Sequence, residues 1–221
     1  MEILVATLAH TVVGKEAEGS ERIRLIVDTI HNAYGLISSR FYRGRGQDSY
    51  YLMLTTWEDE ERWRKAQERY NPKQLLVASA PELLIAPPEQ WLMHYLWGYS
   101  RPSAEPAAAV ALLATIQPEQ SERTQRGWIE SLRRQAVQPT LAFAFLARGV
   151  NEETVSSSYS PLSNAKGIGD AAYQHGSIFL NLLSWASETE RDEFYADPTF
   201  QVMSRFLNSM GVVQLLTLEP L

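Results

Sequence analysis

The sequence of 221 residues contains no cysteine, which excludes disulfide bonds, thiolate metal sites and a cysteine nucleophile. It also lacks a cluster of Lys and Arg, and its formal net charge is -6, so we expect no nucleic-acid partner. No apolar run approaches the ~20 residues that cross a bilayer, and the N-terminus lacks the basic region of a secretory signal. We therefore predict a soluble cytoplasmic protein without a membrane partner.

Motifs for metals and nucleotides are also missing. None of the four histidines is paired with another at helical spacing, and no His and carboxylate cluster has the spacing of a metal site. The stretch Lys166 to Asp170 contains two glycines, but the third glycine of the dinucleotide motif is absent, and the stretch does not join a strand to a helix in a βαβ unit. The sequence predicts no metal and no cofactor.

Four short stretches of the first half recur in the second half in the same order, and such internal similarity is typical of a duplicated fold. The pairs are Leu4 to Leu8 with Leu112 to Ile116, Arg43-Gly44 with Arg148-Gly149, Leu52 to Trp57 with Leu180 to Trp185, and Asn71-Pro72 with Asp197-Pro198. We interpret the chain as a tandem duplication. The first repeat covers residues 1–99, a linker covers 100–106, and the second repeat covers 107–221.

The spacing between matched stretches grows inside the second repeat, which indicates an insertion at about residues 151–176. This segment is rich in Ser, Gly, Asn and Glu, as a loop should be. Long loops are often lids, but an ordinary mobile loop fits the composition as well.

Each half has the pattern strand, helix, strand, strand, helix, strand, with Ser20 as a possible cap of the first helix. Side chains alternate between the two faces of a strand. On the third strands, Leu52 and Leu54 form an aliphatic face, which we expect under the helices. The opposite face, with Tyr51 and Trp57, is aromatic and still too apolar for water, so we expect a second sheet to cover it.

Both third strands end in Trp before an acidic amphipathic helix and an Asn-Pro or Asp-Pro pair. This pattern, around Trp57 and again around Trp185, resembles the antibiotic biosynthesis monooxygenase family of the dimeric α+β barrel superfamily. The resemblance implies an α+β fold in which two ferredoxin-like repeats pack their antiparallel sheets as one intramolecular barrel. It implies fold more than activity, because the family includes cofactor-free oxygenases, haem-degrading enzymes and proteins without a known role.

Strand alternation and the barrel together predict which side chains face the interior. The predicted catalytic residues are His94, Arg40 and Asn181, and the predicted substrate-binding residues are Tyr42, Tyr51, Trp57, Phe143, Phe145 and Trp185. Arg40 would hold a substrate anion, or it reaches water or a nearby acid. Asn181 would bind a ligand oxygen, or it bonds neighbouring backbone. The two Trp side chains wall a pocket or fill the core. His10 is the other possible base, and a structural role fits either histidine.

The resemblance implies a cofactor-independent monooxygenase that acts on a planar aromatic or polyketide-like molecule bound in the barrel. The alternative is a non-catalytic small-molecule-binding or stress-response protein. In either case we expect a small hydrophobic or aromatic molecule as the partner and a monomer or a homodimer. The resemblance implies that a haem-degrading member would have a histidine as iron ligand on the helix after the Trp strand. Haem handling is less expected, since Glu58 to Leu76 and Ala186 to Asn208 contain no histidine. The polar side chains of the inward set concentrate in the first half, which predicts a polar wall there and an apolar wall in the second half.

Overall fold

The computed structural model describes residues 1–45, 49–102, 104–137, 141–150 and 176–221. The predicted insertion, apart from Gly176, lies outside the described residues. The described chain divides into two compact units. Unit 1 contains residues 1–94 and 219–221, and unit 2 contains residues 95–150 and 176–218.

Unit 1 has an antiparallel sheet in the order β4-β1-β3-β2, with helices over one face. Its elements are β1 (Ile3–His10), α1 (Glu16–His31), β2 (Leu36–Gly44), β3 (Tyr50–Trp57), α2 (Glu60–Tyr70), α3 (Pro72–Ser79), a short 3-10 helix (Pro81–Leu83) and the first part of β4 (Glu89–Ser100). The boundary between the units falls inside β4, after His94.

Unit 2 has a second antiparallel sheet, in the order β8-β5-β7-β6. The remainder of β4 lies next to β6. Its elements are β5 (Ala108–Ile116), α4 (Pro118–Gln135), β6 (Leu141–Gly149), β7 (Ser177–Trp185), α5 (Glu188–Ala196), α6 (Pro198–Met210) and β8 (Gly211–Pro220), the last two residues of which belong to unit 1.

The α+β class predicted from the sequence is confirmed. Each unit has the predicted order of strands and helices, with the second helical segment split in two by Pro72 or Pro198. The duplication and the packing of the two sheets together stay predictions. Among the described residues, no helix combines the length and the apolar character needed to cross a membrane.

Local signals explain where the helices begin. Asn71 accepts a hydrogen bond from the backbone N–H of Lys73 at 3.0 Å, and Pro72 occupies the first position of α3, where its missing N–H has no cost. The prediction that Ser20 caps the first helix is wrong. Helix α1 begins at Glu16, and Ser20 is buried in its interior, because it lies against the sheet rather than at the helix end.

The predicted orientation of the sheet faces is wrong for the third strands of both units. Tyr51 packs with Ile23 and Ile26 of α1, and Trp57 packs on Trp63 of α2 with the ring centroids 5.2 Å apart. The aromatic face therefore lies under the helices, and the aliphatic face points away from them. The aromatic face fits under the helices because α1 has a glycine, Gly19, above Tyr51. Any larger residue would clash there, since its Cβ atom would lie 2.7 Å from the Tyr51 hydroxyl oxygen.

Unit 2 has the same orientation. Phe179 and Trp185 of β7 belong to the core under the helices, where Trp185 packs on Phe194 of α5 with the ring centroids 5.1 Å apart. Phe179 lies beside Trp128 of α4, with a distance of 6.0 Å between the ring centroids. Large rings on the helices thus meet large rings on the strand, and the aliphatic side chains are left for the other face.

Candidate functional site

Asn181 is completely buried under the helices of unit 2. Its amide nitrogen donates to the backbone oxygen of Phe145 at 2.6 Å, and its side-chain oxygen accepts from the indole nitrogen of Trp128 at 3.3 Å. Both ends of the amide therefore have protein partners. The prediction that Asn181 faces the interior with a ligand is wrong, and the alternative of a bond to neighbouring backbone is what the structure shows.

The inward orientation predicted for Tyr51, Trp57 and Trp185 is wrong for the same reason. The Tyr51 hydroxyl donates to the backbone oxygen of Glu16 at 2.9 Å inside the helix side of unit 1. The Trp57 indole donates to Thr55 Oγ1 at 3.0 Å, and Trp185 is fully buried. These three side chains hold helices on sheets.

Arg40 and Tyr42 lie on the sheet face away from the helices, as strand alternation predicted. Arg40 is opposite Leu54 and Tyr42 is opposite Leu52, while Phe41 between them packs on the helix side. We call this surface of unit 1 the polar face. Its members are Leu4, Ala6, Leu8, His10, Ser38, Arg40, Tyr42, Tyr50, Leu52, Leu54, Thr56, Glu89, Trp91 and Met93.

His10 is the imidazole of the polar face. It lies opposite Tyr50 at the end of β1, with the two ring centroids 6.1 Å apart and the planes at 63°. Tyr50 is buried, and burial lowers the pKa of His10 below its ordinary value. The sequence reasoning named His10 as an alternative base but left it out of the predicted site.

Glu89 is the carboxyl group of the same face, opposite Leu8. Burial raises the pKa of Glu89, and the charge of Lys73 opposes that shift. The sequence reasoning missed both Glu89 and Tyr50. Alternation from the aliphatic Leu8 and Leu52 would have pointed to them, had that face been recognised as the one away from the helices.

His94 occupies a different position. It alternates with Met93, which is opposite Leu4 on the polar face, so His94 shares the parity of Leu92, which packs near Trp57 on the helix side. The Nδ1 atom of His94 is buried without a hydrogen-bond partner. The structure thus separates the predicted base His94 from Arg40, which lies on the opposite side of the sheet of unit 1.

Phe143 and Phe145 lie on the face of unit 2 away from its helices, as predicted, opposite Ser184 and Leu182. Tyr95 packs edge-on against Phe145, with the ring centroids 5.4 Å apart. The neighbouring strands add Leu113, Leu180 and Leu216 to this face, together with the polar Thr115, Ser184 and Gln214. Of the side chains on which the predicted polar wall rests, Arg40 and Tyr42 lie on the polar face, whereas Tyr51 and His94 lie on the helix side, so the difference in polarity between the halves stays a prediction.

Two surface grooves lie on the helices. One, of about 380 Å³, is lined by Tyr34, Asp59, Glu61, Arg62, Lys65, Ala66 and Tyr70. The other, of about 270 Å³, lies between α4 and α6 and is lined by Gly127, Glu130, Ser131, Arg134, Val202, Met203 and Phe206. Neither groove includes a predicted site residue. Within the described ranges, His, Asp and Glu side chains form no group of three that would hold a metal ion.

The chain resembles known proteins in fold, not in sequence: no protein-family model matches it, and neither does any curated protein. An anthrone oxidase-like protein has 12% identity and a TM-score of 0.72, with 100% of this chain and 91% of that chain covered. A candidate monooxygenase from Fusobacterium nucleatum has 8% identity and a TM-score of 0.71, with 100% and 92% covered.

A third solved structure is a ferredoxin-fold protein from Listeria monocytogenes related to antibiotic biosynthesis monooxygenases. Its identity is 10% and its TM-score is 0.55, with 100% of this chain and 96% of that chain covered. At such identities the likeness shows the fold alone. The chain therefore has the fold of monooxygenase-like α+β proteins.

Proposed function

We propose that the protein oxidises a planar, weakly acidic aromatic molecule with molecular oxygen and without a cofactor, and that His10 is the base. The observation that carries this proposal is the position of His10, a half-buried imidazole on the polar face, beside the buried ring of Tyr50. A base must be uncharged before it accepts a proton. The lowered pKa of His10 keeps its imidazole neutral at physiological pH.

The surroundings of His10 suit an aromatic ligand. Leu8 and Leu52 are buried on the same face and make the neighbourhood of His10 apolar, while Tyr50 places an aromatic ring beside it. An apolar setting also strengthens electrostatic interactions with an anion formed there. The role of Arg40 in holding such an anion stays a prediction, and Arg40 has a partner of its own in the structure.

The chemistry is illustrated by an anthrone. His10 removes a proton from the acidic methylene carbon, and the carbanion is delocalised over the rings as a phenolate-type anion. Oxygen adds at that carbon, and the peroxide anion takes the proton back from His10 to give a hydroperoxide. The hydroperoxide loses water and leaves a carbonyl group. One anthrone and one O₂ thus give one quinone and one water, and the chain needs only to bind, orient and deprotonate the substrate.

The fold supports this proposal, since one similar structure is an anthrone oxidase-like protein. The substrate-binding roles predicted for Tyr42, Phe143 and Phe145 are part of the proposal only as expectations from strand alternation, and His94 stays the alternative base.

Oxygen uptake tests the proposal. The protein is incubated with anthrone, 1,8-dihydroxyanthrone and dihydroxynaphthalenes, and oxygen consumption is compared with a blank. We expect uptake that falls at least about 100-fold in His10→Gln, the usual size of a general-base contribution. His31→Gln is the matched control, because His31 is exposed at the end of α1. His94→Gln separates the two candidate bases.

Three outcomes would contradict the proposal or part of it. No uptake above the blank with any of these compounds would reject the oxidase function. Binding without uptake would favour the non-catalytic small-molecule protein instead. Uptake that survives in His10→Gln and is lost in His94→Gln would transfer the role of base to His94.

A further inference from the structure

The end of the polar face near His10 is bordered by a second strand-like segment. Thr11 forms an isolated antiparallel bridge with Leu84. Hydrogen bonds flank this bridge on both sides, from the Ile85 N–H to the His10 oxygen at 3.0 Å and from the Val12 N–H to the Leu83 oxygen at 2.9 Å. In this pattern Ile85 lies directly opposite His10, and paired residues in antiparallel strands point to the same face.

His10 therefore has two different neighbours across the sheet. On one side is Tyr50 of β3, which is 7% exposed. On the other side is Ile85, which is 65% exposed. Val12 follows His10 at the next position of the same face and is 37% exposed. The same face thus runs from the buried Leu8 through the half-buried His10 at the end of β1 to the exposed Val12 beyond it.

The segment that follows Ile85 leaves the ladder. Ile85 is the partner of His10, and Glu89 is the partner of Leu8. One residue separates His10 from Leu8 on β1, whereas three residues, Ala86, Pro87 and Pro88, separate their partners. Pro87 and Pro88 have no N–H to donate, so this stretch cannot continue the ladder beside Ala9. The chain therefore bulges over Ala86 to Pro88, and the Ile85 side chain lies at the solvent-exposed edge of His10.

Single exposed apolar side chains are common on protein surfaces and carry no meaning alone. Here two of them, Val12 and Ile85, border the same half-buried imidazole on its solvent side, and a contiguous apolar border is typical of a ligand site. An uncharged aromatic molecule can pack on Val12 and Ile85 without a charged partner. A charged substituent would lose its hydration there, because these two apolar side chains offer no polar group to replace it.

We propose that Ile85, with Val12, forms the apolar rim over which an uncharged planar aromatic substrate reaches His10, and that Ile85 sets the preference for such substrates. This inference rests on the proposed function for its substrate class. It adds the specificity-determining residue and the requirement that the part of the substrate over Ile85 be uncharged. A substrate that covers Ile85 removes its exposed surface from water, and this gain is absent from a substrate that ends at His10.

The test measures binding, not oxidation. 1-Naphthol is titrated into the ¹³C-labelled protein, and the ring signals of the four histidines are followed by NMR, with the His10 signal identified by its loss in His10→Gln. We expect 1-naphthol to shift the His10 signal. Ile85→Ser should weaken the affinity about ten-fold, and Ile85→Val should stay within about two-fold of the parent. Naphthalene-1-sulfonate should bind more weakly than 1-naphthol to the parent protein.

Val202→Ser is the matched control, since Val202 is also 65% exposed but lies on α6 of unit 2. Both positions are exposed, so both variants should fold, and urea unfolding checks that they do. The inference is overturned if 1-naphthol leaves the His10 signal unchanged, or if Ile85→Ser and Val202→Ser bind it equally well. If binding depends on Ile85 but no oxygen is consumed, the oxidase function fails and the rim stands. If His10-dependent uptake is unaffected by Ile85→Ser, the rim fails and the function stands.

Discussion

The side-chain amide of Asn181 joins two elements of unit 2, because it accepts a hydrogen bond from the Trp128 indole of α4 and donates one to the Phe145 carbonyl of β6. An amide buried in an apolar core is stable there only because both of its ends have partners. The residue that looks most like a lone catalytic amide in the sequence is therefore a structural tie between a helix and a strand.

Asn181→Leu should destabilise the protein by about 2 to 4 kcal/mol, since it leaves the Trp128 N–H buried without a partner and removes the hydrogen bond to the Phe145 carbonyl. Urea unfolding followed by Trp fluorescence measures this loss. Asn208→Ala, on the exposed side of α6, is the control and should change stability by less than about 0.5 kcal/mol. Unchanged stability of Asn181→Leu would show that the amide is not a structural tie.

The substitution of Tyr by Phe should have opposite effects on stability at Tyr51 and at Tyr195. The Tyr51 hydroxyl bonds the Glu16 carbonyl and lies 3.2 Å from Ser20 Oγ, whereas the buried Tyr195 hydroxyl has no hydrogen-bond partner. Tyr51→Phe should cost about 1 to 2 kcal/mol, and Tyr195→Phe should be neutral or stabilise by up to about 1 kcal/mol. Thermal and urea unfolding of the two variants, side by side, test the contrast. A loss of similar size in both would contradict it.

Gly19→Ala should destabilise unit 1 although alanine is the better helix former. The new Cβ atom would lie 2.7 Å from the Tyr51 hydroxyl oxygen, so the ring or the helix must move, at a cost of about 1 to 3 kcal/mol. The same change in a Tyr51→Phe background should cost less, and a double-mutant cycle measures the coupling. Gly127→Ala is the comparison, because its nearest contact is at 3.3 Å to Phe206. Additive effects of Gly19→Ala and Tyr51→Phe would rule out the contact.

The lowered pKa of His10 predicts how stability changes with pH. In the unfolded chain the imidazole titrates near its ordinary value of about 6.5, and the folded state resists protonation. The unfolded state therefore binds more protons as the pH falls through about 6.5, and the free energy of unfolding decreases. The raised pKa of Glu89 acts in the opposite direction, since the folded state favours its protonated form.

The comparison that isolates His10 uses urea unfolding at about pH 8 and pH 6, on either side of the ordinary pKa. The parent should lose stability between these values, and His10→Gln should lose less. His31→Gln should behave like the parent, since His31 is exposed. An NMR titration that places the pKa of His10 above about 6.5 would contradict both this prediction and the proposed role as a neutral base.

The sequence by itself determined the order of strands and helices and the break before α3. Alternation and helical spacing are local patterns, and the Asn71-Pro72 cap acts within three residues, so neither depends on distant contacts. The same local alternation placed Arg40, Tyr42, Phe143 and Phe145 on one side of their strands. It established that Trp57 shares a face with Tyr51, but not which face that is.

Only the tertiary structure decided which face of each sheet lies under the helices. Both faces of β3 and β7 are apolar, so hydropathy does not distinguish them, and the choice depends on the helix that packs above. A glycine at position 19 and large rings at Trp63, Trp128 and Phe194 accept aromatic side chains from the strands. Asn181 lies on the face of β7 that packs under α4, and His10 lies beside Tyr50 on the face away from the helices. Strand alternation assigns residues to two faces, but only packing between distant segments decides which face the helices cover.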